Sequence, residues 1–279
     1  MTSFVEFGYI IRCFGVTKCP NSNQYLMVMD YKKDGSLHDY LYKNFKRIKW
    51  EQKLDILYFA IKGLSEIHEA ELMHKDFHSG NIIISEGVSY ISDFGLCQNV
   101  SSKTEKQIFG VLPYVDPEVL RGKPYTQASD IYSFGIIMNQ VAFGYKPYYD
   151  IPHDDDLAFK IACNKIRPEI NEKITPKIIV NLIKRCWSEK PSDRPTANEL
   201  LDELFFYRQR DHEIWSEIES IEENMNFDIP PEKASLDYKP LASYTSQLIT
   251  VSQEITSQVS QEIASDTSKR ISVSSIPDG

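Results

Sequence analysis

The chain has 279 residues, enough for one large domain or two small ones, and its 42% hydrophobic content predicts a sizeable core. Its 31 basic and 40 acidic residues give a formal net charge of −9, which argues against nucleic-acid binding and against attraction to an anionic membrane surface. The five cysteines form no C-x-x-C pair, no stretch is long and apolar enough to span a bilayer, and the first residues lack a leader pattern. We therefore expect reduced thiols and a soluble protein of the cytoplasm, with the nucleus as the alternative.

The first predicted elements are two strands joined by a turn. Residues 8–17 and 25–31 are rich in Tyr, Ile, Val and Met, and Pro20-Asn21-Ser22-Asn23 lies between them. Ser36 then predicts the N-cap of a short helix, with Asp39 three residues later as its capping-box partner. The chain is therefore expected to begin with a small strand-rich region.

A long amphipathic helix is predicted next. Its inward-facing positions recur at spacings of three and four residues and are Trp50, Leu54, Leu57, Ile61, Leu64 and His68. The pattern stops shortly before His74. We therefore expect the loop that begins there to be mounted on a well-buried helix.

A tight hairpin is predicted between residues 74 and 95. Ile82-Ile83-Ile84 and Tyr90-Ile91 are typical of two short strands that turn at Glu86-Gly87. Such a turn returns Asp93 to the side of Asn81, and Asp76 precedes Asn81 by five residues. An acid, an amide and a second acid are thereby predicted at one edge. This arrangement suits the binding of magnesium and the orientation of a hydroxyl group.

Beyond the hairpin, the pattern is polar and then helical. Residues 98–107 are polar and predict a mobile surface loop. Four helices are then predicted. An apolar stretch runs from Gln127 to Phe143 and is stopped by Gly144, and Asp154-Asp155-Asp156 is an acidic helix start. Thr175 is an N-cap with Pro176 opening a helix through Trp187, and a capping box from Thr196 to Glu199 precedes a helix at residues 200–207.

The composition changes from about Glu213 onward. Residues 240–279 are dominated by Ser, Thr, Gln and Glu, and Ser252-Gln253-Glu254-Ile255 recurs as Ser260-Gln261-Glu262-Ile263. So few large apolar groups would not offset the entropy of ordering the chain. We predict that residues 209–279 are a largely disordered tail, with a partner-binding helix in it as the alternative.

Two motifs in the predicted hairpin resemble those of the eukaryotic protein kinase superfamily. His74, Asp76 and Asn81 fit the pattern H-x-D-x-x-x-x-N, and Asp93-Phe94-Gly95 follows as D-F-G. The resemblance covers roughly residues 8–207. It implies an α+β, protein-kinase-like fold at residues 1–208, with a truncated small lobe and hinge at 1–31 and a helical lobe at 32–208.

Three later motifs extend this resemblance. Asp116-Pro117-Glu118 resembles A-P-E with Asp in place of Ala. Asp130 lies in a stretch that resembles the buried helix whose Asp braces the catalytic loop, and Arg194 matches the arginine expected to pair with Glu118. The run from Trp187 to Thr196 is most similar to the tyrosine-kinase-like group and to tyrosine kinases.

The resemblance also implies roles for the candidate site residues. Asp76 is expected to accept the proton of a protein substrate's hydroxyl, and Asn81 and Asp93 are expected to bind magnesium. Met29 and Asp30, with Lys32 close by, resemble the hinge that contacts the adenine of ATP.

Two residues of the predicted catalytic loop depart from the family pattern. Lys75 stands where the family usually has Arg, so the charge is kept but the bidentate fork is lost. His78 takes the place of a phosphate-contacting Lys or Arg and carries only part of a charge near neutral pH.

Further departures concern specificity, regulation and activity. Val111 stands where serine/threonine kinases usually have Thr, so this position does not distinguish the two acceptor classes; we expect Ser/Thr, with Tyr as the alternative. Ser101, Ser102 and Thr104 are candidate phosphorylation sites, with ordinary solvated loop residues as the alternative.

No G-x-G-x-x-G precedes the hinge, and Lys18 lies in a turn rather than on the family's strand. Two hypotheses remain: a protein kinase, weak or inactive as written, and a pseudokinase that acts as a binding or scaffold module.

Overall fold

The computed structural model describes residues 8–22, 24–102, 107–224, 243–250, 255, 257 and 258. A short strand-rich region leads into a mainly helical body, which confirms the predicted α+β class. The elements in chain order are β1 (Cys13–Lys18), β2 (Tyr25–Met29), α1 (Leu37–Asn44), α2 (Trp50–Glu69), β3 (Leu72–Met73), β4 (Ile82–Ser85), β5 (Val88–Ile91), β6 (Gln98–Asn99), β7 (Ile108–Gly110), α3 (Pro117–Leu120), α4 (Gln127–Phe143), α5 (Asp155–Ala162), α6 (Lys177–Cys186), α7 (Ala197–Tyr207), α8 (Ile214–Asn224) and β8 (Gln247–Ile249).

The strands β1 and β2 form an antiparallel pair, as the sequence predicts. The first strand is shorter than predicted because residues before Cys13 pair elsewhere. Ile11 donates its N–H to the carbonyl oxygen of Ile91 at 2.8 Å, and Ile91 donates to the carbonyl oxygen of Tyr9 at 2.9 Å. The beginning of the chain is thereby attached to β5, next to the predicted site.

Helix α2 forms the centre of the main core. Five of the six residues predicted to face inward are buried and His68 is partly buried. Ser36 caps α1 by accepting the N–H of Asp39 at 3.2 Å. Helix α2 packs on α7 and β5. These contacts place the hairpin of β4 and β5 on a rigid support.

Helix α4 is buried around most of its circumference. It begins with a capping box between Thr126 and Ser129 and stops at Gly144, where the backbone is left-handed with φ +86°. A Cβ atom at Gly144 would lie 2.6 Å from the ring of Phe45, so both the conformation and the space favour glycine. The predicted bounds of this helix are confirmed.

The cap of one helix and the start of one loop differ from the prediction. The N-cap of α6 is Pro176 rather than Thr175. The buried hydroxyl of Thr175 has no hydrogen-bond partner among the residues that the structure describes. The predicted loop at 98–107 is also wrong at its start, because Gln98 and Asn99 form β6 and pair with β3. Thr104 lies outside the described residues.

The prediction of a disordered tail from residue 209 is wrong for α8. Ile214, Trp215 and Ile218 are buried against the main core. Glu222 accepts the backbone N–H of Trp50 at 2.8 Å, so α8 also satisfies the first turn of α2. Helix α8 is therefore part of the helical lobe.

A second part of the predicted tail is also ordered. Strand β8 pairs with β7, and Ile255 is buried in a smaller apolar cluster with residues of the 108–120 region and α5. Most of the remaining tail lies outside the described residues. Among the helices that are described, none is both long and apolar enough to cross a bilayer.

Candidate active site

The carboxylate of Asp130 holds the backbone of the predicted catalytic loop. It accepts the N–H of His74 at 2.9 Å and the N–H of Lys75 at 3.0 Å, and His68 Nε2 lies 3.0 Å from it. Lys75 has a left-handed backbone with φ +69°, which costs energy for a residue with a side chain. The predicted bracing role of Asp130 is confirmed.

The side chain of Lys75 is directed toward β6. Its Nζ donates to Gln98 Oε1 at 3.0 Å and lies 5.3 Å from the centre of the Tyr125 ring. The side chain therefore attaches the predicted catalytic loop to β6, which is the strand that precedes the candidate phosphorylation sites. Ser101 and Ser102 are exposed just beyond it.

Asp76 lies at the centre of the site and is 6% exposed. Its Oδ2 accepts from Asn81 Nδ2 at 3.2 Å and from the hydroxyl of Ser246, and it lies 3.6 Å from His78 Nε2. The other oxygen, Oδ1, is buried without a hydrogen-bond partner among the described residues. Oδ2 is thus the oxygen that already meets a hydroxyl group, while Oδ1 is buried beside it.

The surroundings of Asp76 keep its carboxylate ionised. Burial alone raises its pKa, but the hydrogen bonds from His78 and Ser246 outweigh burial and leave the pKa below its usual value. His78 Nδ1 accepts the N–H of Gly80 at 3.1 Å, so Nε2 is the nitrogen that faces Asp76. Asp76 is therefore available as a hydrogen-bond acceptor at neutral pH.

The hairpin brings Asn81 and Asp93 to one edge. Ile82 pairs with Ile91, and the carbonyl oxygen of Asn81 accepts the N–H of Ser92 at 2.8 Å, directly before Asp93. Asn81 Nδ2 donates to the Asp76 carbonyl oxygen at 2.9 Å, which leaves its amide oxygen as the atom suited to a cation. Asp93 is exposed, with φ +59°. The geometry predicted for the hairpin is confirmed.

The donor set at this edge fits magnesium bound together with a phosphate ligand. The residues that the structure describes contain no cluster of three or more His, Cys, Asp or Glu side chains that could hold a metal alone. One amide oxygen and one carboxylate do fit the few protein ligands that magnesium takes when phosphate oxygens and waters supply the others.

The predicted hinge residues lie at the end of β2. The N–H of Asp30 donates to the Arg12 carbonyl oxygen at 2.9 Å, while Lys32 Nζ pairs with Asp30 Oδ2 at 2.9 Å. The hydrogen bond that Lys32 donates to Asp30 raises the pKa of Lys32. Lys32 also lies over the Tyr90 ring at 4.2 Å, which joins the hinge to β5, and Met29 is 47% exposed.

The predicted pair between Glu118 and Arg194 is wrong. Arg194 donates from Nη1 to Asp116 Oδ2 at 2.7 Å and from Nη2 to Asp116 Oδ1 at 3.1 Å, and both side chains are fully buried. Asp116 is the N-cap of α3 and its short side chain faces inward, whereas Glu118 lies on the first turn of α3 and is 31% exposed toward Arg121. The buried position beside Arg194 is thus occupied by Asp116, the residue that replaces Ala in the A-P-E motif.

Sequence reasoning missed Ser246, whose hydroxyl contacts Asp76 from 170 residues further along the chain. No catalytic motif surrounds it. The available signal was the apolar pair Leu248-Ile249 within a polar stretch, which is typical of a short strand.

The comparison with known families agrees with this geometry. The sequence model of the family described as protein tyrosine and serine/threonine kinase matches residues 1–204. The chain belongs to this protein kinase family. The resemblance inferred from the motifs is confirmed at the level of the family.

Individual protein kinases that the chain resembles come from a slime mould, a nematode and a plant. A probable serine/threonine-protein kinase, drkC, of Dictyostelium discoideum is 29% identical over 69% of this chain and 26% of its own length. The mitogen-activated protein kinase kinase kinase nsy-1 of Caenorhabditis elegans is 31% identical over 70% of this chain and 13% of its own length. The serine/threonine/tyrosine-protein kinase HT1 of Arabidopsis thaliana is 28% identical over 69% of this chain and 50% of its own length. The chain therefore spans half or less of each of these relatives.

Proposed function

We propose that the chain transfers the γ-phosphoryl group of ATP to a hydroxyl group of a protein. The observation that carries this proposal is the arrangement at Asp76. Its carboxylate is buried, has a lowered pKa and already accepts a hydrogen bond from a serine hydroxyl. A phosphoryl acceptor needs such a partner, which orients the hydroxyl and takes its proton.

The residues around Asp76 divide the remaining tasks. Asn81 holds the Asp76 carboxylate through its Nδ2 group, and its amide oxygen and the carboxylate of Asp93 would hold magnesium. Magnesium, when bound, offsets the negative charge of the nucleotide phosphates. His78 keeps Asp76 ionised, so the base is ready before the acceptor arrives.

We assign the remaining specificity from the sequence. The resemblance to the tyrosine-kinase-like group and the names of the relatives support Ser and Thr of proteins as acceptors. Met29, Asp30 and Lys32 would line the adenine end of the nucleotide site. The acidic net charge of −9 disfavours nucleic-acid substrates, and we place the protein in the cytoplasm.

The substitution Asp76→Asn tests the proposal. Asparagine keeps the shape of the side chain but accepts no proton, so transfer of labelled phosphate from magnesium-ATP to dephosphorylated casein should fall roughly 10²- to 10⁴-fold. Asp156→Asn, which removes an exposed carboxylate on α5, is the matched control and should keep the wild-type rate. Equal rates for wild type and Asp76→Asn would reject catalysis and favour the scaffold hypothesis.

A further inference from the structure

A segment of the chain's own tail lies on the edge of the active site. Strand β8 pairs antiparallel with β7, in the register Ile108 with Ile249, Phe109 with Leu248 and Gly110 with Gln247. β7 thus offers its backbone as the template for an added strand. Addition of a strand at a sheet edge is a common way to bind an extended peptide.

The register of this pair brings Ser246 to Asp76. Ser246 is the residue after which the pairing with β7 begins, and its Oγ donates to Asp76 Oδ2 and lies 3.4 Å from His78 Nε2. Gly110 lies beside Asp76, because a Cβ atom at Gly110 would be 3.5 Å from Asp76 Oδ1. The strand therefore delivers one hydroxyl to the base.

The neighbouring hydroxyl groups are directed elsewhere. Ser243 Oγ and Thr245 Oγ1 contact each other at 3.1 Å. Thr245 lies at a bend before β8 begins, and its hydroxyl meets Ser243 rather than Asp76. The geometry thus distinguishes Ser246 from the serine and threonine hydroxyl groups that shortly precede it.

The segment is held on both sides of Ser246. On the N-terminal side, the Tyr244 hydroxyl donates to the Pro147 carbonyl oxygen at 3.1 Å, and the carbonyl oxygen of Ser243 lies 2.7 Å from His153 Nδ1. On the C-terminal side, Ile249 packs against the cluster in which Ile255 is 1% exposed. The hydroxyl is therefore presented by a segment anchored at both ends.

We propose that Ser246 is a phosphorylation site of this chain, modified within the same molecule by the active site on which it lies. The inference rests on the proposed kinase function. Ser246 Oγ would attack the γ-phosphorus of ATP as the bond from that phosphorus to the β,γ-bridging oxygen breaks. The products are phosphoserine at position 246 and ADP, and the hydroxyl proton passes to Asp76 Oδ2.

The main test is the site and the kinetic order of self-phosphorylation. The full chain is incubated with labelled ATP, magnesium and casein, and the modified residues are mapped by mass spectrometry. We expect Ser246 to be the main modified residue, with a rate constant that does not change over a 100-fold dilution of the protein. Ser246→Ala should lower self-phosphorylation at least tenfold, whereas Thr245→Ala should leave it unchanged.

A second readout needs no nucleotide. Amide hydrogen exchange at residues 108–110 reports whether β8 is paired with β7. Ile249→Asp places a charge in the apolar cluster and should accelerate this exchange. In the separate assay with labelled ATP, the same variant should abolish modification of Ser246. Leu248→Asp, on the same strand with a side chain that is 51% exposed, is the matched control and should change neither.

The possible failures are distinguishable. If casein is phosphorylated but Ser246 is not, the inference is overturned and the proposed function stands. If neither casein nor the chain is phosphorylated, the proposed function fails and the inference fails with it. A rate constant that rises with protein concentration, or label spread over many tail residues, would overturn presentation within one molecule.

Discussion

Lys53 lies inside the helical core, and its side chain is 1% exposed. Its Nζ donates to the Ala142 carbonyl oxygen at 3.0 Å and lies 4.3 Å from the centre of the Phe45 ring and 4.8 Å from that of Trp50. Burial lowers the pKa of Lys53 to about 7, and the charge of Glu222 opposes this only in part. The folded protein therefore disfavours the protonated amine over a wide pH range.

This burial predicts a specific pH dependence of stability. Between pH 7 and 10.5 the unfolded chain keeps the Lys53 proton while the folded chain releases it, so the free energy of unfolding contributed by this residue rises with pH. From pH 7 to 9 the rise is about 2 kcal/mol. When the free energy of unfolding is measured with urea at several pH values, Lys53→Met should lose this increase with pH. Exposed Lys160→Met should keep it. Parallel slopes for wild type and Lys53→Met would contradict the lowered pKa.

The pair of Arg194 with Asp116 makes a second residue-scale prediction. Asp116→Asn leaves a buried guanidinium without its counter-charge and should lower the free energy of unfolding by about 3–5 kcal/mol. Glu118→Gln, on a partly exposed side chain of the same helix, should change it by less than about 0.5 kcal/mol. Chemical unfolding of both variants decides the point. A larger loss for Glu118→Gln would restore the pairing expected from the family motif.

At the scale of elements, the sequence predicts those whose signals are local. The bounds of α4 follow from an apolar run and from Gly144, which tolerates a left-handed backbone. The hairpin follows from two apolar runs around Glu86-Gly87. Both turn residues have positive φ. Because that turn determines the register, the proximity of Asn81 and Asp93 could also be predicted.

The elements that the sequence did not predict depend on contacts far along the chain. Helix α8 has few apolar residues in a polar region, but Trp215 and Ile218 meet a core built from much earlier residues. β8 is three residues long and is stable only because β7 offers it a partner. Composition averaged over a window carries no information about such partners. Whether Glu118 or Asp116 pairs with Arg194 likewise depends on which of the two side chains faces inward.

Helix α8 should therefore contribute to stability like the other core helices. Trp215 is 6% exposed and Arg210 lies 4.0 Å from the centre of its ring. Trp215→Ala should lower the free energy of unfolding by about 3–5 kcal/mol, because it leaves a large cavity. Glu219→Ala, on the exposed side of α8, should have little effect. A stability unchanged by Trp215→Ala would mean that α8 is dispensable to the fold.

At the scale of the whole molecule, the tail and a protein substrate require the same place. The tail occupies the edge of β7 with its backbone and Asp76 with its hydroxyl, and on the proposed function a protein acceptor would need Asp76 as well. A segment tethered to the same chain has an effective concentration on the order of millimolar, which a separate protein must exceed. The unmodified tail is therefore expected to act as a competitor of other protein acceptors.

Release of the tail should accordingly favour external substrates. Ile249→Asp removes an apolar anchor of β8 without touching Asp76, Asn81 or Asp93, so the KM for casein should fall several-fold while kcat stays the same. Leu248→Asp should leave both constants at their wild-type values, because its side chain is exposed. Steady-state kinetics at saturating ATP measures the two constants separately. If Ile249→Asp lowers kcat and leaves KM unchanged, the tail supports the active site rather than competing for it.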